Sequence, residues 1–459
     1  MARLNAAATG AAALVLLLAL SAPGHASARL ENAVTDWINA TQAEVAISGI
    51  QNQLSAKVYA LVALPILQAL ETGGAPDAVL VAYAGHAALS ALFPWRQGNY
   101  DVLLAKQLKA AGLSADDKKA ATSAAVAKAV PLAADLVRAR TADESTRYSG
   151  FTPAAAGTPY EYQFVEGQKY ALYPQLADAT PFVLDESVID AVVSNKNAST
   201  GPVFKPAKDD YLLTYELGGA NSPDRSEYNT GSAWFWADGA NTSAITGHWI
   251  DIAREVLPSD FSLKDTALYF ARAAAATYDA SIAGWKVKYS TLHWRPVTAI
   301  TQGWTNFTAD PAWKPLLGRT PAHPEYPSGH QVSVGAALEV LVRTLGTDNV
   351  TFSIGSEGAP WLGKRKYKTL TAAAEEVGDS RLFGGVHFTS ANDDGLKLGR
   401  LIAGKAFDAW PGATGSIKAA SASGGGGGAK TESAAGGDKK ASKASSSIFS
   451  FILGRRLLL

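Results

Sequence analysis

From residue 30 to about 145, apolar positions recur at helical spacing with few turn residues between them, as in the runs 58–64 and 105–136. The pattern predicts mostly helix with one buried face, broken or kinked at Pro65 and Pro131, where the ring removes an N–H and crowds the preceding turn. Residues 150–245 are richer in Pro, Gly, Tyr and Asn and read as long ordered loops. Helical patterning returns over 246–285 and again over 332–345, where Val334, Ala337, Leu338, Leu341, Val342 and Leu345 follow the i, i+3, i+4 rule. A last helix is predicted to start near Ser390, whose Ser-Ala-Asn-Asp run resembles a capping box, and to end before Pro411. Strand-like alternation is not sustained anywhere. The expected fold class is all-α, a helical bundle with long ordered loops.

The two ends read differently. Residues 1–28 have the build of a secretory signal: Arg3, an apolar run from Ala11 to Leu20, and the small residues Ala26-Ser27-Ala28 at a cleavage site. Five Asn-x-Ser/Thr sequons follow, at Asn39, Asn197, Asn241, Asn306 and Asn349, so glycosylation of a secreted chain is expected. Residues 412–459 form a Gly/Ser/Ala/Lys-rich tail ending in a short apolar stretch that Arg455 and Arg456 interrupt, a poor match to a lipid-anchor signal. One domain over 29–411 lies between them. Apart from the N-terminal run, no window is apolar enough for a stable membrane span, and the chain is expected to be soluble.

Charge and sulfur narrow the chemistry. With 41 basic and 41 acidic side chains there is no chain-wide footprint for nucleic acid. The chain has no cysteine and a single methionine, Met1, which excludes disulfides, thiolate metal sites and thiol nucleophiles. Compositional bias accounts for this as well as life beside strong oxidants does.

Four of the seven histidines, His293, His323, His330 and His387, fall in one stretch with three segments suited to an anion. Lys288 is followed by six residues and then Arg295-Pro296; read alone, this is an ordinary basic helix end. Pro327-Ser328-Gly329-His330 precedes an amphipathic helix, where a hydroxyl and free N–H groups can receive an oxyanion and His330 can move protons. Read alone, it is a plain N-cap. In 380–387, Arg381 offers a planar fork for tetrahedral oxyanions, Gly384-Gly385 permits a tight reversal, and His387 offers a ring nitrogen. Read alone, it is a helix end closed by glycine.

Together, in this order, the three segments resemble the vanadium-dependent haloperoxidase and type-2 phosphatidic acid phosphatase superfamily, in its soluble haloperoxidase-like branch. The likeness covers roughly 210–410, including 234–239 and 247–249. It implies that Lys288, Arg295, Ser328, Gly329 and Arg381 hold the oxygens of vanadate. It also implies that His387 ligates the vanadium and that His330 is the acid–base group. No haem, flavin or nicotinamide is then needed. The implied activity is a secreted haloperoxidase that uses hydrogen peroxide to oxidise halide, delivering a hypohalous-acid-like agent to a small organic acceptor. Trp285 matches a tryptophan beside the cofactor, and His323 stands where a histidine accompanies bromide use and a phenylalanine chloride use. Bromide and iodide are therefore expected over chloride.

Two other functions fit the same residues. In a phosphomonoester hydrolase His387 would be the nucleophile and His330 the general acid. A catalytically silent helical protein would keep the pocket only to bind phosphate. His323 also reads as a surface loop residue, and His248 and His86 as structural histidines satisfied by neighbours. Asp238 is a candidate partner for Arg381. Oligomeric state is not legible.

Overall fold

A computed structural model describes residues 29–411, apart from 142, 144, 146–147, 195–207 and 305–306. The signal and tail assignments, and the sequons at Asn197 and Asn306, lie outside the described residues. Within them the chain is helical, as expected. The N-terminal half holds α1 (Ala33–Ser48), α2 (Asn52–Thr72), α3 (Asp77–Leu92), α4 (Gln97–Ala110) and α5 (Ala115–Thr141). Then come α6 (Glu186–Ser194), α7 (Lys208–Gly218), α8 (Glu227–Phe235), α9 (Ala244–Val256) and α10 (Leu263–Thr291). The last are α11 (Pro296–Gln302), α12 (Gly329–Leu345), α13 (Leu370–Phe383) and α14 (Thr389–Asp408). One antiparallel hairpin departs from the all-helical expectation, β1 (Phe352–Gly355) paired with β2 (Lys364–Tyr367). Its second strand reads Lys-Arg-Lys-Tyr, too polar to show an alternation.

The ends of the helices follow local chemistry. Asn32 caps α1 in a reciprocal box with Thr35, and Ser262 caps α10 by accepting from the Asp265 N–H at 3.1 Å. Pro65 and Pro131 were expected to break or kink their helices, yet each lies inside a continuous one. The chain breaks instead around Gly49 and Gly73, both with positive φ. Burial of nearly all of α2 offsets the lost hydrogen bond at Pro65. The 246–285 pattern resolves into two helices parted at Leu257–Ser262, and the region expected to be loops contains α6, α7 and α8.

The core is built on α10, which packs against α2, α12 and α14. Helices α12 and α14 meet backbone to backbone. A methyl group at Gly335 would lie 2.2 Å from the Leu396 carbonyl oxygen, and one at Gly399 would lie 2.1 Å from that of Val332. By length and hydropathy alone α2 and α5 qualify to cross a membrane, which corrects the expectation that no window does. In α2, 89% of the most apolar window is buried inside the chain; in α5, 33% is. The buried stripe of α5 is Ala121, Ala125, Ala129 and Ala133. Spaced one turn apart, these alanines form a face for packing against α2 and α3.

A charged residue anchors the middle of α10. The buried carboxylate of Asp279 accepts the backbone N–H groups of Phe182, Val183 and Leu184 at 2.6, 3.0 and 2.9 Å. Burial nevertheless pushes its carboxyl up to about 6, against the pull of those three N–H groups. A raised folded-state value means the folded chain binds more protons, so this contribution is present below pH 4 and lost as pH rises through about 6. The thermal midpoint of the parent should therefore fall more steeply between pH 4 and 6 than that of Asp279→Asn. Parallel curves from scanning calorimetry would refute it.

Candidate active site

Helix α10 carries Trp285 and Lys288 one turn apart near its C-terminus and ends at Thr291. Arg295, the N-cap of α11, follows the short connection. Ser328 is the N-cap of α12, but its hydroxyl makes no capping bond. Arg381 lies in the last turn of α13, and the chain reverses through Gly385 (φ +71°) to deliver His387 just before α14. A side chain at Gly385 would meet the Gly218 carbonyl oxygen at 2.3 Å, so only glycine suits both the backbone and the space. Four helix ends thus meet at one place. None of the three cations points to bulk solvent: Lys288, Arg295 and Arg381 are all buried.

The contacts are dense. Lys288 donates to the carbonyl oxygens of Pro324 (2.9 Å), Glu325 (3.0 Å) and Pro327. Its three protons are spent on backbone, so it offers the pocket charge more than a donor. Arg295 donates through Nε to the His323 carbonyl (2.9 Å), and through Nη1 to the Val386 carbonyl (2.8 Å) and His387 Nε2 (3.2 Å). Its Nη2 lies 2.9 Å from Nδ1 of His323. Gly329 packs on Trp285, whose ring also stands 5.1 Å from that of His323. His323 is 2% exposed, so it is no surface loop residue. His330 is only partly buried; its Nε2 lies 3.2 Å from the Ala237 carbonyl oxygen and 3.4 Å from Nδ2 of Asn52.

Sequence reasoning passed over two of these groups. Glu325 is fully buried, and its Oε1 accepts from Nδ1 of His387 at 2.8 Å and from the Phe388 N–H at 3.0 Å. The guanidinium of Arg295 can only donate, so Nε2 of His387 keeps its lone pair and Nδ1 carries the imidazole proton toward Glu325. Asn52 arrives from α2, held by its Oδ1 accepting from the Ile245 N–H at 3.0 Å. The expected partnership of Asp238 with Arg381 is corrected in part. Its carboxylate pairs with Nδ1 of His248 at 3.1 Å and acts on Arg381 through charge. His86 is satisfied by Asp101 at 2.6 Å, as expected. The capping box expected at Ser390 is replaced by Asp210, which accepts from the Thr389 and Ser390 N–H groups at 2.8 and 3.2 Å.

The field of the pocket is positive. Burial lowers Arg295 and Arg381 to about 10 and Lys288 well below its ordinary value. Burial and the three cations hold His387 well below the usual imidazole value; for His330 the order is burial, then Arg381, Arg295 and Lys288. Burial pushes Glu325 up to about 8, with Arg295 and Lys288 opposing. Inside this field, Ser328 Oγ and both Nε and Nη1 of Arg381 are buried with no partner. Unmet buried donors are costly, and an oxyanion satisfies all three.

A family model described as the VCPO second helical-bundle domain matches residues 268–411, the stretch that carries the three cations and both histidines. The chain is 29% identical over 151 residues to the vanadium chloroperoxidase of Curvularia inaequalis, covering 28% of this chain. It spans about a quarter (25%) of the length of that curated relative. Among solved structures, a bacterial vanadium-dependent iodoperoxidase superposes with TM-score 0.67 at 22% identity, over 83% of this chain and 96% of that one. A bacterial vanadium-dependent chloroperoxidase gives TM-score 0.60 at 16% identity, over 83% and 97%. At such identities the two structures speak to the fold, while the matched domain coincides with the buried cationic pocket. Residues 268–411 thus match the second helical-bundle domain of the vanadium chloroperoxidase family model, and the fold over most of the chain is that of bacterial vanadium-dependent haloperoxidases.

Proposed function

We propose that the chain is a secreted vanadate-dependent haloperoxidase that uses hydrogen peroxide to oxidise bromide or iodide for transfer to a small organic acceptor. One observation carries the reading: three buried cations surround a serine hydroxyl and an arginine edge that lack partners. The donor set fits vanadate, with Arg295, Arg381, Ser328 and Gly329 toward its oxygens, Lys288 adding charge, and Nε2 of His387 as the ligand. Bound there, vanadate supplies a Lewis acid that activates peroxide without a change of oxidation state.

The chain's own groups do the rest. Glu325 keeps the proton of His387 on Nδ1 and aims Nε2 inward. His330, the more exposed of the two rings, takes up and returns protons, with its Nε2 beside the Ala237 carbonyl oxygen. The buried cations hold the dianion without water's competition.

A second reading has its own support. A carboxylate–imidazole pair such as Glu325–His387 equally suits a nucleophile for phosphomonoester hydrolysis, and phosphate has the same tetrahedral shape. Two assays of one preparation decide: vanadate, peroxide and bromide with a halogen acceptor, against a chromogenic phosphomonoester without vanadate. Bromination that requires vanadate supports the first reading, and hydrolysis without bromination replaces it.

Halide choice is assigned to His323, which touches both Arg295 and the Trp285 ring. A polar ring there changes hydration and proton supply where a phenylalanine would not. His323→Phe should move the chlorination-to-bromination ratio toward chloride; an unchanged ratio removes His323 from the account. Secretion is part of the proposal. Asn241 and Asn349 are exposed, whereas Asn39 is half-buried in α1 with its Oδ1 held by Arg254. Protein recovered from a secreting host should begin at Arg29 and carry glycans on Asn241 or Asn349 but not on Asn39, as read by peptide mass spectrometry.

A further inference from the structure

Between α12, α13 and α14 lies a cavity of about 280 Å³, lined by residues of all three helices. Its floor is polar and its mouth acidic. Gln331 from the first turn of α12 and Asn392 from the first turn of α14 are 2% and 3% exposed. The Oε1 of Gln331, the Oδ1 and Nδ2 of Asn392 and the Oγ1 of Thr389 are buried without a hydrogen-bond partner. Gln331 is not free to turn away, because its Nε2 donates to the Ala374 carbonyl oxygen at 2.8 Å. Gly378 clears the space: a methyl group there would lie 2.3 Å from that Nε2.

Glu375, Asp379 and Asp393 line the cavity and are themselves exposed. Asp379 is pushed up by partial burial of its carboxyl and then by the charges of Asp393, Glu375 and Glu376. The lysine nearest in sequence, Lys397, pairs with Asp394 at 3.4 Å and also offsets part of the charge of Asp393. Buried amide and hydroxyl oxygens beside three lining carboxylates make an all-oxygen donor set, the preference of a hard cation. Among the described residues no three acidic side chains converge closely enough to hold a bare ion. The cavity has volume for several waters as well.

We propose that this cavity binds one hydrated divalent cation of the calcium class. The amide oxygens of Gln331 and Asn392 and the hydroxyl of Thr389 face it directly or through water, and Asp379, Asp393 and Glu375 close the mouth. The ion ties α12, α13 and α14 together at the ends that carry Ser328, Arg381 and His387, and its presence does not depend on the halide chemistry.

Chelator-treated full-length protein is titrated with Ca²⁺, and separately with Mg²⁺, by calorimetry. The expected result is one saturable Ca²⁺ site per chain and a rise in the thermal midpoint of at least about 2 °C at saturation. Asp379→Asn/Asp393→Asn, at exposed positions that leave folding intact, should weaken binding at least 10-fold and cancel the rise. Asn392→Leu should also weaken it, because it removes the buried amide while leaving the mouth charged. The absence of a saturable site in the parent overturns the proposal, as does equal affinity in the double variant. Full affinity in Asn392→Leu overturns it too, placing the ion on surface carboxylates rather than in the cavity.

Discussion

Replacing His387 with alanine is expected to lower halide oxidation and phosphomonoester hydrolysis alike by at least about 10³-fold. The two losses have different causes, which makes the variant informative beyond its inactivity. His387 contributes a ring nitrogen, Nε2, that faces Arg295 inside the cationic pocket. If that nitrogen is a vanadium ligand, its removal leaves only hydrogen bonds and charge on the anion, and vanadium should be lost on dialysis. If it is a nucleophile, inorganic phosphate should still bind through Arg381, Ser328 and Arg295 while turnover stops. Vanadium content of dialysed parent and variant, beside phosphate affinity by calorimetry, separates the cases. Equal vanadium retention contradicts the ligand role, and residual turnover above 10% of parent removes His387 from the chemistry altogether.

What the sequence revealed of this site has a simple pattern. Lys288, Arg295, Ser328, Arg381 and His387 sit in short local segments whose spacing is set by helix ends, and such spacing survives in one dimension. Glu325 lies between Pro324 and Tyr326 in a loop, where no periodicity marks a residue as buried, and only the fold puts it under His387. Asn52 reaches His330 across 278 positions, and Asp210 caps α14 from 179 positions away; neither leaves a local trace. The overall helical character was legible because alanine- and leucine-rich periodicity dominates. The misplaced breaks at Pro65 and Pro131 show tertiary burial overriding a local rule.

Glu325 is where the next largest effect is expected. Its Oε1 is the acceptor for both Nδ1 of His387 and the Phe388 N–H, and its Oε2 has no partner. Glu325→Ala would strand two buried donors in a cavity. Stability should fall by about 1–3 kcal/mol, and kcat/KM by about 10–100-fold, the usual cost of losing the group that orients a ligating or reacting histidine. Glu325→Gln keeps an amide oxygen at the same reach, so it should regain most of the stability. It cannot ionise, whereas the Glu325 carboxyl, pushed up to about 8, takes on charge beside Lys288 and Arg295 as pH rises through that value. Activity in the glutamine variant therefore tells orientation from charge. Near-parental kcat/KM, with the His387 proton still on Nδ1 by ¹⁵N NMR, means that holding the tautomer is the whole contribution. A glutamine variant that is as stable as parent yet as slow as the alanine variant means that the carboxylate's charge, acting on His387 through Nδ1, is what the pocket requires. An alanine variant equal to parent in both stability and activity would show that the pair, although buried and short, does not matter to the site.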